Sequence, residues 1–443
     1  MGSLLLRNAR LVLPPGRGCE TGDLLISDGR IAALGEGASP SDALTKVLDC
    51  EGDFLIPGLV DIHVHGAMGR DAMEATVSAF AVILSQLAMR GTTTALLSSV
   101  SASREDIARL LEAAAYHRDK EGEARFEGIH LEGPYFSPVM RGAHRTDMIR
   151  NPSAEETLFL LEHLSSVRRV TLAPELPGAL SLTEELVAKG VSVSAGHSNA
   201  IEKEAHAGFA KGITQVTHLY NAMSSLRKDD GGRSVGLAET ALTTPGILCE
   251  LIADGRHLPP ALLRLAWLAK GWEEIALVSD ATAGAGLPEG SLFELGGLTC
   301  RVEEGASWTG EGNERRLAGS ATFQINGIRT MVERCGVPLA EAVAMASLVP
   351  ARSLGLGTDR GSLEVGKRAD LIRLGPDWSI KGVWIGGVSV TGSGKQNSQG
   401  SVTDAKQRPG QPTGCKGWEL SKTPSEALLF SLFQLLAFSL PRA

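Results

Sequence analysis

Strand-like segments alternate with amphipathic helical stretches eight times between residues 59 and 280. This alternation is typical of a parallel (β/α)8 barrel, in which every strand is followed by a helix that packs on the outside. The chain has 443 residues, enough for such a barrel and a second, smaller domain. The fold class is therefore predicted to be α/β. The candidate strands lie at 59–65, 92–100, 126–132, 169–174, 190–196, 214–219, 247–254 and 275–280.

Short strand patterns occur on both sides of the predicted barrel. Residues 1–57 contain short apolar runs with turn signals between them, including a tight hairpin signal at Asp28–Gly29. Similar runs return at 356–390. We predict a (β/α)8 TIM-like barrel at 58–355, with a small β-sandwich domain built from both chain ends.

The segments after the eighth strand have a different character. Residues 291–316 are predicted to insert a hairpin, and two helices are predicted around 320–355. Residues 391–443 begin rich in Gly, Ser, Lys and Gln, with too few apolar residues for a core, so this low-complexity tail is predicted to be disordered. Its last apolar stretch has roughly fifteen residues, below the ~20 of a membrane helix. A docking helix, a membrane-surface helix and a non-native reading frame all remain open for it.

Composition excludes several classes of function. The formal net charge of -8 and the lack of a dense Lys/Arg stripe exclude nucleic acid as an expected partner. The six cysteines form no CxxC pair, so neither a zinc finger nor a disulfide framework is expected. The short N-terminal apolar run is followed at once by Arg7 and Arg10, which is wrong for a secretory signal, and it is too short to span a membrane. We therefore expect a cytoplasmic protein without a membrane partner.

Residue types that bind metals or carry protons follow five of the predicted strands. Because the carboxyl ends of barrel strands surround one mouth, these side chains are expected to meet there. The residues are His63 and His65, Glu132, His197, His218 and Asp280.

The spacing and type of these residues predict a catalytic metal site. His63 and His65 are two apart on a strand, so both side chains point to one face. Glu132, His197 and His218 form a nitrogen and oxygen set that leaves a coordination position for water, as catalytic sites do. Taken singly, His197 and His218 would more often be structural, and the histidine pair would as readily be polar filling as a site. Glu132 could cap a helix or form an ion pair. Their shared position at strand ends favours a metal-dependent hydrolase.

Asp280 is the candidate proton shuttle. A metal-bound water needs a base to become hydroxide, and the leaving group needs that proton afterwards. The alternative is a structural aspartate that caps the following loop, but the end of the eighth strand favours catalysis.

The motifs HxH, HLEGPY, RGAH, LAPE, GHSNA, THLYNAM, ADGRH and LAGSA together resemble the amidohydrolase superfamily, and within it the deacetylases of amino-sugar phosphates. The resemblance covers the chain from the N-terminal sheet to about residue 390. It implies that a metal-bound hydroxide hydrolyses the N-acetyl group of N-acetyl-D-glucosamine 6-phosphate, in amino-sugar catabolism or cell-wall recycling. It further implies one or two divalent ions per subunit, of Zn, Fe, Mn or Co, and a homodimer.

The resemblance also implies a role for each residue. Glu132, His197 and His218 would hold the main metal and His63 and His65 a second one. Glu132 would bridge the two ions, since the fourth strand offers no lysine. His144 would polarise the substrate carbonyl or contact the sugar. Contacts to the phosphate end would come from Asn221, Ala222 and His257, and the acetyl pocket would be lined by Leu317, Ala318 and Gly319.

One departure from the family pattern concerns the phosphate. Related enzymes follow the NAM segment with a loop that ends in Arg-Glu-Pro-Gly, whose arginine reaches the phosphate, often in the partner subunit. Here the loop reads SSLRKDDGGRSVG, so Arg227, Lys228 or Arg233 would have to serve, or the phosphate is recognised differently. The planar fork of arginine matches phosphate and favours Arg227 or Arg233. The alternatives are another amidohydrolase activity, above all on a related N-acetylated amino sugar with different phosphate recognition, and an inactive barrel used as a scaffold.

Overall fold

The structure, a computed structural model, describes residues 2–40, 43–229 and 231–390, and of Asp229 only the backbone. The predicted disordered tail, 391–443, lies outside the described residues.

Eight parallel strands form a nearly closed barrel, so the predicted barrel is confirmed. Each strand pairs with its neighbour in chain order, and the first and last meet at a parallel bridge between Val64 and Ala281. There, the Asp280 N–H donates to the His63 carbonyl at 3.0 Å and the His65 N–H donates to the Ala281 carbonyl at 2.7 Å. The barrel strands are Leu59–Val64, Thr92–Ser98, Arg125–Glu132, Val167–Leu172, Ser192–Ala195, Gln215–Val216, Leu248–Ile252 and Ile275–Val278.

The helices pack their apolar faces on the outside of the barrel. The first shows why these segments are helical: the Thr76 side chain accepts from the Ala79 N–H as an N-cap, and Phe80, Ile83, Leu84 and Leu87 recur on one buried face. The helices are α1 (Val77–Met89), α2 (Arg104–Tyr116), α3 (Ala154–Glu162), α4 (Ala179–Ala188), α5 (Glu202–Ala210), α6 (Leu237–Thr243), α7 (Pro260–Lys270), α8 (Gln324–Cys335), α9 (Leu339–Ala346) and α10 (Leu348–Ser353).

Strands from the two chain ends share one eight-stranded sheet, as predicted. The ends are joined where Leu371–Leu374 pairs antiparallel with Phe54–Pro57. The hairpin predicted at Asp28–Gly29 is present, with φ values of 51° and 74° that match a tight two-residue turn. The strands are Leu4–Val12, Cys19–Ser27, Arg30–Leu34, Lys46–Asp49, Phe54–Pro57, Leu371–Leu374, Ile380–Ile385 and Val388–Ser389.

The segment after the eighth strand is larger than the predicted hairpin. It is an antiparallel sheet of four strands, whose last strand continues into the LAGSA segment at the barrel mouth. Three helices follow this sheet in the chain, where two were predicted. Ser347, with φ -137° and ψ -71°, separates α9 from α10. The four strands are Leu292–Leu295, Leu298–Glu303, Ala306–Thr309 and Arg316–Ser320.

Two short strand pairs complete the described strands. Two small hairpins lie in loops at the barrel mouth, one after the first strand and one after the sixth. They are Gly66–Ala67 with Arg70–Asp71, and Arg227–Asp229 with Gly232–Ser234.

Candidate metal centre and active site

The six residues predicted at the strand ends converge at the barrel mouth in two buried groups. Within each group, the ligand atoms lie within 4.8 Å of one another. The first group is Glu132, His197 and His218, and the second is His63, His65 and Asp280.

Glu132 lies between the two groups and contacts both. Its Oε1 is 3.0 Å from Nε2 of His218 and 3.2 Å from Nε2 of His197. Its Oε2 is 3.3 Å from Nε2 of His65. The carboxylate therefore lies within 3.3 Å of ligand atoms of both groups.

The donor atoms fit divalent metals. Histidine nitrogens bind such ions at about 2.0–2.1 Å, which puts neighbouring ligand atoms of a tetrahedral site about 3.3 Å apart. Nε2 of His65 lies 3.3 Å from Nε2 of His63 and 3.2 Å from Oδ1 of Asp280. Nε2 of His197 faces Nε2 of His218 at 3.0 Å. Two imidazole lone pairs this close repel each other unless a proton or a cation lies between them.

Hydrogen bonds on the outer side of two of the rings aim their Nε2 atoms at the centre. Nδ1 of His197 lies 2.9 Å from the Met140 carbonyl, and Nδ1 of His63 lies 3.2 Å from Oε2 of Glu250. Since a carbonyl or carboxylate accepts the Nδ1 proton, Nε2 keeps its lone pair for a metal. Phe136 stacks on His197 at 4.2 Å between ring centroids and restricts that ring further.

Charge interactions keep Asp280 ionised. Burial opposes its ionisation, but the neighbouring His63 and His65 lower its pKa to about 2. Because it is ionised, Asp280 can accept a proton.

His197 is neutral at neutral pH, as a metal ligand must be. Burial lowers its pKa to about 4 against the effect of Glu132.

Three of the candidate ligands at the ends of the barrel strands have a strained backbone. His197, His218 and Asp280 have φ values of 47°, 30° and 48°, in the left-handed region that non-glycine residues rarely adopt. Such strain persists where the surrounding structure holds it, typically at functional sites.

A cleft of about 160 Å³ opens above the two groups. His144 lines it, buried rather than on an exposed loop, with Nε2 at 3.4 Å from Oε2 of Glu132. His257 lines it too, held by Asp254 through a 2.7 Å contact at Nδ1. The other predicted substrate residues that line the cleft are Asn221, Ala222, Leu317, Ala318 and Gly319.

Neither arginine predicted for the phosphate lines this cleft in the single chain. Arg227 is half-buried and donates to the Asn199 carbonyl at 3.4 Å, and Arg233 is exposed on the facing strand of the same hairpin. Arg145 is the only Lys or Arg that lines the cleft among the described residues. The sequence offered one signal for it, its place directly after His144, but it ends no predicted strand.

The fold and the site define a metal-dependent hydrolase barrel, and comparison with known proteins gives the family. The Amidohydrolase family matches residues 54–390, and the chain belongs to it. Among the similar curated proteins is the N-acetylglucosamine-6-phosphate deacetylase of Vibrio furnissii, 35% identical over 75% of this chain and 82% of that protein. The N-acetylgalactosamine-6-phosphate deacetylase of Escherichia coli O157:H7 is 34% identical over 86% of this chain and 98% of that protein. The resemblance stated from the sequence motifs is confirmed.

Solved structures of deacetylases share the fold. N-acetylglucosamine-6-phosphate deacetylase from Pasteurella multocida superposes with a TM-score of 0.79 at 28% identity, covering 87% of this chain and 99% of that one. A variant of the Mycobacterium smegmatis enzyme, in complex with N-acetyl-D-glucosamine-6-phosphate, has a TM-score of 0.78 at 32% identity, covering 88% of this chain and 99% of that one.

Among the described residues, no helix combines the length and apolar character needed to cross a membrane.

Proposed function

We propose that this protein hydrolyses the N-acetyl group of N-acetyl-D-glucosamine 6-phosphate, giving D-glucosamine 6-phosphate and acetate. The observation that carries this proposal is the convergence of Glu132, His197, His218 and Asp280 on one cleft, in a chain 35% identical to a deacetylase of that substrate. The reaction belongs to amino-sugar catabolism or cell-wall recycling.

Water and the amide are the two reactants that the site has to bring together. Glu132, His197 and His218 would hold one divalent ion, and His63, His65 and Asp280 a second, with Glu132 between them. Ions bound there would supply Lewis acidity and lower the pKa of water. The donor set suits Zn, Fe, Mn or Co.

Asp280 would take a proton from the attacking water while the water oxygen forms a bond to the acetyl carbonyl carbon. His144 would donate a hydrogen bond from Nε2 to the carbonyl oxygen, where negative charge develops. When the C–N bond breaks, Asp280 would return the proton to the departing amine. Leu317, Ala318 and Gly319 line the cleft beside Asp280 and would enclose the acetyl methyl group.

The phosphate needs donors and positive charge at the outer end of the cleft. Asn221, Ala222 and His257 would supply hydrogen bonds, and Arg145 would supply charge from the same chain. Arg227 or Arg233 would reach the phosphate from the partner subunit of a homodimer. We place the protein in the cytoplasm, without nucleic acid or membrane as a partner.

A second candidate substrate is N-acetyl-D-galactosamine 6-phosphate. The Escherichia coli relative that acts on this sugar is 34% identical and is covered over 98% of its length. The two sugars differ only in the configuration at C4, so one hydroxyl contact is enough to discriminate between them.

Acetate release by the purified, metal-loaded protein tests the proposal. The substrates are the 6-phosphates of N-acetylglucosamine and N-acetylgalactosamine, and unphosphorylated N-acetylglucosamine is the control. We expect the highest kcat/KM for N-acetylglucosamine 6-phosphate. A higher value for the galactosamine sugar would establish the second candidate, and no release from either phosphate would refute both.

A further inference from the structure

A buried ion pair lies behind His63, on the opposite side from the cleft. Glu250, on the seventh barrel strand, and Arg169, on the fourth, are 0% and 1% exposed. Nη1 of Arg169 pairs with Oε1 of Glu250, while Nη2 donates to Oγ of Ser194 at 3.0 Å. Burying such a pair costs desolvation that apolar residues of similar volume would not. Its presence in the barrel interior therefore suggests a role other than stability.

The second oxygen of Glu250 contacts one residue from each ligand group. Oε2 lies 3.2 Å from Nδ1 of His63 and accepts from the backbone N–H of His218 at 3.1 Å. Both oxygens of Glu250 already receive donors, Oε1 from Nη1 of Arg169 and Oε2 from the His218 N–H. A carboxylate held by two donors acts as an acceptor, so its contact with Nδ1 of His63 is one in which His63 donates.

This contact decides which nitrogen of His63 carries the proton. An acceptor at Nδ1 fixes the Nδ1–H form and leaves the lone pair on Nε2. That Nε2 lies 3.3 Å from Nε2 of His65 and 3.5 Å from Oδ1 of Asp280, among the donors of the second ligand group. The ring is also held edge-on by His130 at 4.6 Å between centroids.

We propose that Glu250, fixed by Arg169, is a positioning residue that orients His63 and thereby maintains the second metal position. The inference rests on the two-ion centre of the proposed function. The ring that Glu250 orients belongs to the group of His63, His65 and Asp280. In the other group Glu250 accepts from the backbone N–H of His218, so its effect on the ligand side chains there is expected to be small.

Glu250→Gln is the primary test. Arg169 donates toward Oε1, so the amide oxygen of glutamine will turn to Arg169 and its NH2 group will face His63. A donor in that position favours the proton on Nε2 and removes the metal-binding lone pair. We expect the wild-type chain to bind two Co²⁺ ions and the variant to bind one, with affinity at the second position reduced about 10- to 100-fold. Elemental analysis and titration followed by the Co²⁺ absorption spectrum measure this without substrate.

Two further variants separate positioning from general destabilisation. Ser194→Ala removes the other hydrogen bond of Arg169 while leaving Glu250 against His63, so it is expected to bind two ions. His63→Asn removes the ligand itself, and adding Glu250→Gln to it is expected to cause no further loss of metal. If Glu250→Gln fails to fold, the double variant Glu250→Leu with Arg169→Met leaves no unpaired charge and is expected to bind one ion.

The inference is overturned if Glu250→Gln binds two ions with wild-type affinity, even if its Tm falls. It is also overturned if the ion that disappears is the one bound by Glu132, His197 and His218, or if the wild-type chain binds one ion only. Acetate release by the wild-type chain decides the proposed function separately, because the metal titration requires no turnover.

Discussion

The backbone N–H of Ser101 donates a hydrogen bond to Nδ1 of His144 at 3.0 Å. Since Nδ1 is an acceptor here, the neutral imidazole carries its proton on Nε2. His144 lines the cleft, and its Nε2 lies 3.4 Å from Oε2 of Glu132. The loop after the second barrel strand therefore sets His144 as a donor toward the position expected for the substrate carbonyl.

Replacing His144 by glutamine removes this oriented donor. We expect kcat for acetate release to fall about 10²- to 10³-fold, the usual effect of losing one donor to a developing oxyanion. Metal content is expected to stay at the wild-type level. The matched control is His206→Gln, because His206 is exposed on α5. An unchanged kcat in His144→Gln would show that His144 does not contact the reacting carbonyl.

Asp280→Asn keeps the shape of the side chain and removes its ability to take a proton. We expect kcat to fall about 10²- to 10⁴-fold, the range for loss of a general base. The ion held by Glu132, His197 and His218 is expected to remain, which elemental analysis of the purified variant measures. Asp28→Asn, an exposed change in the hairpin turn of the terminal sheet, serves as control. A variant that retains a tenth of wild-type kcat would contradict the role of Asp280.

The sequence predicted the barrel, and it predicted that the candidate metal ligands meet at the barrel mouth, because each lies at a strand end, where topology alone determines which side chains meet. Asp280 and His218 were placed in this set without any information on distances. Glu250 escaped prediction, since it lies inside an apolar strand and its function depends on contacts across the barrel to Arg169 and His63.

Loop residues were harder to predict than strand-end residues. His144 and His257 would have been taken for exposed loop residues without the family motifs, yet both line the cleft. Arg145 was missed because no periodicity governs the loop that carries it. The inserted sheet was underestimated for a similar reason, since short strands joined by turns resemble an irregular loop in sequence.

Arg145 is expected to bind the substrate phosphate. Arg145→Gln should raise KM for N-acetylglucosamine 6-phosphate about tenfold or more, in the range of a lost hydrogen bond to a charged group. Turnover of unphosphorylated N-acetylglucosamine should not change. Arg145 also pairs with Asp147, with Nε at 3.1 Å from Oδ1, so the phosphate competes with that carboxylate.

The same assay compares Arg145 with the hairpin arginines. Arg227→Gln and Arg233→Gln are expected to raise KM only if the protein forms a dimer, which analytical ultracentrifugation determines. If a hairpin variant raises KM and Arg145→Gln does not, the positive charge that binds the phosphate comes from the partner subunit alone.

Glu156 connects the loop that carries His144 to α3. It accepts from Nε of Arg150 at 3.0 Å and from the hydroxyl of Tyr135 at 2.8 Å, and it also pairs with Arg104 at 2.5 Å. Burial raises its pKa, but Arg150, Arg104 and Tyr135 outweigh that effect and hold it below the ordinary value. The ionised carboxylate therefore stabilises the folded chain at neutral pH.

The lowered pKa of Glu156 gives a pH-dependent prediction for Glu156→Gln. Stability from this carboxylate is fully present above its unfolded pKa of about 4.3 and is lost as pH falls through the lower folded value. At pH 7 we expect the variant to lose about 1–3 kcal/mol in free energy of unfolding, measured with urea. The loss should shrink below about pH 4, where wild type protonates as well. Glu155→Gln is the matched control: Glu155 is 80% exposed and contacts Arg104 at 3.3 Å, so a loss below about 1 kcal/mol is expected at any pH. A loss for Glu156→Gln that stays constant from pH 7 to pH 3 would mean that shape, and not charge, gives Glu156 its effect.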